Sequence, residues 1–232
     1  MKETIYTIPI NGSFDRYDGC PICFLYESLE RASLEYIMGA AMMEPDVRIK
    51  TNELGFCHRH LTKMLAEKNK LSLALILESH LPELSGSLFT RAGKIAGKEP
   101  DLRKAREAAR AAGQSCYVCD RVSGFMKHYY NNIFYLWKNE PDFKEKFSRQ
   151  PFFCMPHYSG MLEHAEKALA RKEQAELANV VSGVCSRYLS ALKADVSEFC
   201  KSFDYRNAGR GLSDGAQNAS ERAAAFLTGS LF

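Results

Sequence analysis

The segments Cys20-Pro21-Ile22-Cys23 and Phe56-Cys57-His58-Arg59-His60-Leu61 decide the fold, because both return later in the chain. The first returns as Cys116-Tyr117-Val118-Cys119 after 96 positions, and the second as Phe153-Cys154-Met155-Pro156-His157 after 97, which indicates a one-residue insertion between them. A duplicated chain supplies an internal comparison of itself. Residues that both copies keep are therefore candidates for a shared physical requirement.

The positions between the motifs follow the period of a helix. Matched positions recur at steps of three and four, as expected for one apolar stripe. They are Tyr26/Val122, Leu29/Phe125, Ser33/Tyr129, Ile37/Ile133 and Ala40/Leu136. We predict that these first helices stop near Met43 and Asn139, because a residue before proline is disfavoured in the helical region. Pro45 and Pro141 suit the first turn of a short second helix, and a third helix should open at each Cys-x2-His motif.

These patterns predict an all-α protein of two pseudo-repeated helical halves. We divide it into a first repeat at 1–90, a basic linker and helix at 91–113, a second repeat at 114–205, and a loop with a short C-terminal helix at 206–232. Asp101 to Ala112 should form a solvated helix, since this stretch is rich in Ala, Arg, Lys and Glu. Asn207 to Ser220 is predicted to be loop, and Glu221 to Thr228 a short helix.

Each copy supplies three thiols and one imidazole, the composition of closed zinc sites. The x2 spacing places two donors on one side of a helical first turn. A helix start also favours the thiolate form that metals require. We predict two zinc ions per chain, each stapling the helix ends of one copy. The predicted sets are Cys20, Cys23, Cys57 and His60 in the first copy, and Cys116, Cys119, Cys154 and His157 in the second.

Two other roles for these cysteines stay open. A Cys3His set can also hold an iron–sulfur cluster, which we rank below zinc. Cys-Pro-Ile-Cys also resembles a dithiol redox motif. A redox dithiol does not require a Cys-x2-His partner in both copies, so duplication favours structural metal.

Core packing or solvent exposure explains the other histidine, cysteine, aromatic and basic residues that stand out in the sequence. His58 is replaced by Met155 in the other copy, which indicates a spectator imidazole. Cys185 and Cys200 lie in apolar helical patterns and are predicted to be buried in the core. Among the aromatic residues of the second copy, core packing is favoured over a ligand groove lined by His128, Tyr129 and Trp137. The basic stretch from 91 to 110 carries few aromatics, which favours a solvated helix face over a nucleic-acid surface.

Composition excludes several classes of protein. Of the 232 residues, 46% are hydrophobic and 25% charged, which is typical of a globular chain and not of a disordered one. The net charge of +3 dictates neither a nucleic-acid nor a membrane partner. No signal-peptide pattern and no bilayer-length apolar run are present, so we expect a cytoplasmic protein without a membrane partner. In that reducing compartment, paired cysteines favour metal ligands or redox thiols over structural disulfides.

The combined motifs resemble an uncharacterised bacterial family of about this length, a domain of unknown function. Phe203-Asp204-Tyr205-Arg206-Asn207 near the end of the chain adds to the resemblance. The resemblance implies no activity, and no catalytic motif is recognisable in the sequence. We predict a zinc-binding helical protein that acts as a cytoplasmic binding or adaptor module for an unknown protein or small-molecule partner. The alternatives are a thiol/zinc redox sensor and a metal-dependent enzyme with one open zinc site.

Overall fold

A computed structural model describes residues 5–90, 101–207 and 211–229. Within these ranges the chain forms α-helices joined by turns and short 3-10 or π segments, without a strand, so the all-α prediction is confirmed. The α-helices are α1 (Thr7–Phe14), α2 (Pro21–Met38), α3 (Pro45–Leu54), α4 (His58–Ala66), α5 (Lys70–Ser85), α6 (Leu102–Gln114), α7 (Tyr117–Asn139), α8 (Pro141–Ser148), α9 (Met155–Ala168), α10 (Arg171–Ser202), α11 (Asp214–Gln217) and α12 (Ala219–Thr228).

The predicted helix starts are confirmed. Pro45 and Pro141 are the first residues of α3 and α8, where the missing N–H of proline costs no hydrogen bond. Helices α4 and α9 begin directly after Cys57 and Cys154. The first helix of the second copy ends at Asn139 as predicted, whereas that of the first copy ends at Met38 and continues as a 3-10 turn.

The helix α6 and the segment 207–220 test two further predictions from the sequence. Helix α6 contains no buried residue and is capped by Asp101, which accepts hydrogen bonds from the N–H groups of Arg103 and Lys104, so the solvated helix is confirmed. The preceding linker, with the basic residues at 91, 94 and 98, lies outside the described residues. The predicted loop from Asn207 to Ser220 is wrong in part, because Ser213 caps the short helix α11 inside it.

The described residues fall into two compact units. One comprises the residues up to Glu27 together with those from Met126 onward, and the other comprises Ser28–Phe125. These units differ from the segments predicted from the duplication, because both boundaries fall inside the long helices α2 and α7.

An aromatic core supports the unit that contains the chain ends. The ring of Phe14 lies 4.9 Å from that of Phe143 and 5.7 Å from that of Phe147, and Phe147 lies 5.0 Å from Phe153. All four rings are fully buried. Since Phe153 directly precedes Cys154, this core fixes the start of α9.

Helix α10 packs against α8, α9, α11 and α12 of the same unit through a stripe that includes Leu177 and Val181. Cys185 on this helix is buried, as predicted. The prediction for Cys200 is wrong, because no α10 residue after Leu192 is buried and Cys200 is exposed.

In the other unit, α5 packs against α3, and Gly55 lies in the short segment that joins α3 to α4. Gly55 has φ +58°, a backbone conformation that favours glycine, and a Cβ there would lie in tight contact with the His80 ring at 3.1 Å. The Gly55 carbonyl accepts a hydrogen bond from the N–H of Tyr117 at 2.9 Å. This bond ties the start of α7 to the segment that leads into α4, two residues before Cys57.

Tyr129 and Trp137 are buried in the core, as the packing interpretation predicts, and His128 is exposed and stacks on Tyr6. Among the described residues, no helix is both long enough and apolar enough to cross a bilayer.

Candidate metal centres

Four helix starts present all the predicted ligands. Cys57 and Cys154 are the N-cap residues of α4 and α9, and Cys20 and Cys116 directly precede α2 and α7. Their carbonyl oxygens accept the first backbone hydrogen bonds of these helices at 2.7 to 3.0 Å. The second donor of each motif lies three residues further on, in the first turn. Unpaired N–H groups and the helix dipole therefore favour negative charge at every pair, as the sequence predicted.

The ligands pair across the two copies, and not within them. Cys20 and Cys23 lie with Cys154 and His157, a group that we call the first cluster. The second cluster comprises Cys57, His60, Cys116 and Cys119. In each cluster the four donor atoms lie within 4.8 Å of one another. The predicted grouping within each copy is therefore wrong, although its eight residues are the ones that form the two clusters.

The lengths of consecutive helices agree with this exchange. At about 1.5 Å per residue, the 18 residues of α2 carry the chain about 27 Å, whereas the 10 residues of α3 return it only about 15 Å. The second copy has a larger mismatch, with 23 residues in α7 and 8 in α8. The second helix by itself therefore returns the chain only part of the way to the start of its own copy.

The first cluster has the donor spacing of a single tetrahedral ion. The Sγ atoms of Cys23 and Cys154 lie 3.6 Å apart, and Nδ1 of His157 lies 3.2 to 3.7 Å from the three sulfurs. Zinc bonds of about 2.3 Å to sulfur and about 2.0 Å to nitrogen imply edges of about 3.8 Å and about 3.5 Å in a tetrahedron. The observed spacing therefore fits one zinc-sized ion.

The second cluster fits in the same way. The Sγ atoms of Cys57 and Cys119 are 3.9 Å apart, and Nδ1 of His60 lies 3.2 to 3.4 Å from the sulfurs of Cys57, Cys116 and Cys119. These sulfur separations are far longer than a disulfide bond of about 2.05 Å, and all the cysteines are free thiols.

The shifted pKa values of the clustered thiols favour a cation in each cluster. Burial raises the pKa of Cys20 well above its usual range, while contact with the Cys154 thiol lowers that of Cys23. Burial also raises the pKa of Cys119 to about 12. Burial opposes ionisation of Cys116 too, but the hydrogen bonds from His60 and from backbone N–H groups together outweigh it and lower the pKa of Cys116 to about 6. Three adjacent thiols therefore do not ionise together. A divalent cation among them removes the conflict by stabilising all three thiolates.

The two clusters differ in burial. All four residues of the first cluster are buried, and Gly229 at the end of α12 lies beside two of their sulfurs. A Cβ at Gly229, where φ is +84°, would lie 3.6 Å from Sγ of Cys154 and 3.8 Å from Sγ of Cys23. In the second cluster, by contrast, Cys57 is partly exposed and Cys119 is exposed.

Glu30, which was not among the predicted site residues, orients His60 of the second cluster. This carboxylate is buried and accepts a hydrogen bond from Nε2 of His60 at 2.9 Å, while Arg59 and Lys63 donate to it at 2.6 and 2.5 Å. Burial opposes its ionisation, but the hydrogen bonds from His60 and Lys63 outweigh burial and lower the pKa of Glu30 to about 2. An ionised carboxylate on Nε2–H leaves Nδ1 as the metal-binding atom, an arrangement common in zinc sites.

Two signals in the sequence could have identified Glu30. It lies four residues after Tyr26 and three before Ser33, so it is a charged residue within the predicted apolar stripe. The internal comparison is a second signal, because all three members of this ionic group change together. Glu30, Arg59 and Lys63 correspond to Met126, Pro156 and Gly160 in the other copy.

His58 is exposed and belongs to neither cluster, which agrees with its interpretation as a spectator.

Comparison with known proteins identifies a family whose function is unknown. A family model described as "Family of unknown function (DUF6062)" matches residues 1–232, and the chain belongs to this family. No curated protein and no solved structure matches the chain.

The exchanged pairing makes a prediction that separates it from pairing within each copy. The double variant Cys20→Ser with Cys154→Ser removes two ligands of the first cluster only, so it should keep about one zinc per chain. Cys20→Ser with Cys57→Ser removes one ligand from each cluster and should lose both ions to a mild chelator. Elemental analysis of the dialysed proteins is the measurement. Pairing within each copy would give the reverse result, and far-ultraviolet circular dichroism checks that both variants remain helical.

Glu30→Gln should weaken zinc binding at the second cluster by about tenfold to a hundredfold, because the amide loses the charge that orients His60. We would measure zinc affinity by chelator competition in a Cys154→Ser background, so that the second cluster holds the remaining ion. Glu163→Gln on α9, an exposed glutamate paired with Lys167, is the matched control and should leave the affinity unchanged. Equal affinities for the Glu30 variant and its parent would contradict the orienting role.

Proposed function

We propose that this member of a family of unknown function binds two zinc ions and acts as a binding or adaptor module in the cytoplasm. The observation that carries the proposal is the spacing of the donors. Twice in the chain, three sulfurs and one imidazole nitrogen lie within 4.8 Å of one another at the separations of a single tetrahedral ion.

The donor chemistry supports zinc over other ions. Thiolate and imidazole ligands in a tetrahedral set suit zinc, whereas magnesium and calcium prefer oxygen ligands. An iron–sulfur cluster distributes its cysteines around several iron atoms, so its ligands stand further apart than donors around one ion. The close spacing therefore favours zinc over the iron–sulfur alternative.

The number of protein donors supports a structural role for the ions. Four protein ligands complete a tetrahedron, whereas a catalytic zinc keeps one position for water or substrate. Each ion would join two helix starts that are distant in sequence, α2 with α9 and α4 with α7. Structural zinc contributes on the order of 10 kcal/mol to folding in small domains, so these ions would stabilise the helical scaffold itself.

A helical protein without a recognisable catalytic motif suits a role in binding. The cytoplasmic assignment is supported by the thiols, because cysteines remain available to a metal in a reducing compartment. The partner, a protein or a small molecule, would then recognise a surface that zinc holds in place.

Cobalt substitution tests whether the sites are closed. We expect two cobalt ions per chain, with the visible absorption of four-coordinate thiolate-bound cobalt, falling to about one in Cys57→Ser and in Cys154→Ser. Adding azide or cyanide at concentrations that leave the metal content unchanged should not alter the spectrum, because no position is open. A spectral change on adding the anion would contradict the structural role and favour the enzyme alternative. Unchanged metal content in both variants would refute the ligand assignment.

The adaptor role predicts that partner binding depends on zinc. A partner that copurifies with the wild-type chain should be lost from the double variant Cys57→Ser with Cys154→Ser, since that variant lacks a ligand in each cluster. Cys200→Ser is the matched control, because it removes an exposed thiol outside both clusters and should retain the partner. Quantitative mass spectrometry of the purified complexes provides the measurement. Equal recovery with all three proteins would contradict a zinc-dependent binding surface.

A further inference from the structure

The second cluster exposes one of its thiols. His60 and Cys116 are buried, Cys57 is partly exposed and Cys119 is exposed in the first turn of α7. An oxidant in solution reaches the thiolate of an exposed cysteine before it reaches the thiolates of buried ones.

A second sulfur is placed to complete a disulfide. Sγ of Cys57 lies 3.9 Å from Sγ of Cys119 and is the next most exposed donor of the cluster. The two sulfurs must approach by about 2 Å to reach the bonding distance of about 2.05 Å. They lie at the starts of different helices, α7 and α4, so a bond between them would replace the ion as the link between those helix starts.

The charges around the second cluster balance one another. Zinc with three thiolates and a neutral imidazole has a formal charge of −1, and Glu30 adds another negative charge. Arg59 and Lys63 balance this charge, and both are partly exposed to solvent. The first cluster has Pro156 and Gly160 at the corresponding positions and so lacks these cations. The second cluster together with this ionic group is therefore neutral in sum and does not repel an anionic disulfide.

We infer that the second cluster is a redox-responsive zinc site, in which Cys119 is the reactive thiolate, Cys57 is the resolving thiolate, and the oxidant is an anionic low-molecular-weight disulfide. This inference rests on the proposed zinc binding and specifies its regulation. The first cluster remains closed and holds its ion.

The reaction balances without any further reagent. The Cys119 thiolate attacks one sulfur of the disulfide, forming a mixed disulfide and releasing one small thiolate. The Cys57 thiolate then attacks Sγ of Cys119, forming the Cys57–Cys119 disulfide and releasing the second small thiolate. Two protein thiolates lose two electrons in total, and the external disulfide gains them. Zinc loses two of its three thiolate ligands and leaves as a divalent ion.

A competing entry route exists at the first cluster. A cavity of about 470 Å³ reaches Cys20 and Cys23, with Phe24, Phe152 and Arg222 among its other lining residues. Cys20 and Cys23 are nevertheless only 3% and 2% exposed. The experiment must therefore determine which cluster reacts first.

The test uses the full zinc-loaded chain with Cys200→Ser, because Cys200 is an exposed thiol that would also react. Zinc content is measured first and should be two per chain. Oxidised glutathione is then added while a chromogenic chelator records zinc release, and peptide mass spectrometry locates the disulfide. We expect release of one ion, with Cys57 joined to Cys119. The ion that remains in a Cys57→Ser variant should leave at least about tenfold more slowly than the ion that remains in a Cys154→Ser variant.

The outcomes separate the two proposals. A starting content below two ions would contradict the proposed function and remove the basis of the inference. Two ions at the start, followed by release at equal rates, earlier release from the first cluster, or no release before the helices unfold, would overturn the inference alone. A disulfide between any other pair of cysteines would also overturn it.

Discussion

The structure depends on the meeting of two helix starts at each cluster of four soft donors. Thiols and imidazoles are costly to bury without partners, and three adjacent thiolates repel one another. The positive ends of the helices reduce that cost, and a divalent ion would remove most of it. This requirement explains why every ligand lies either just before a helix or in its first turn, where the donors of one motif point the same way.

Because each cluster combines motifs from both copies, the two sequence copies do not coincide with the two compact units. Each cluster takes its Cys-x2-Cys motif from one copy and its Cys-x2-His motif from the other, yet each cluster lies within a single compact unit. A compact unit is therefore not a sequence repeat. Neither copy on its own contains a complete cluster, so the fragment of chain that could bind an ion is not the fragment that the repeat defines.

The two clusters share ligand chemistry but not surroundings. The first has Gly229, at the end of α12, beside two of its sulfurs. The second has the ionic group of Glu30, Arg59 and Lys63 behind His60, and its Cys119 reaches solvent. The eight donors are therefore alike in the two clusters, whereas their surroundings and their exposure differ.

The sequence by itself determined the helical class, the helix starts and the eight donor residues. Those features follow from local physics: the helical period, the restriction before Pro45 and Pro141, and the i, i+3 geometry of each motif. Two features of the site that local patterns did not reveal still left traces in the sequence, namely Glu30 within an apolar stripe and the unequal lengths of consecutive helices.

Only the tertiary structure decided which motifs meet. Both copies carry the same donors at the same spacing, so chemistry alone cannot distinguish pairing within a copy from pairing between copies. The distinction depends on where α2 and α7 deliver the chain and on long-range contacts such as the hydrogen bond from Tyr117 to Gly55. The exposure of Cys119 was likewise undetermined, and the predicted burial of Cys200 was wrong, because burial depends on whether another element covers a given helix turn and not on that turn's own sequence.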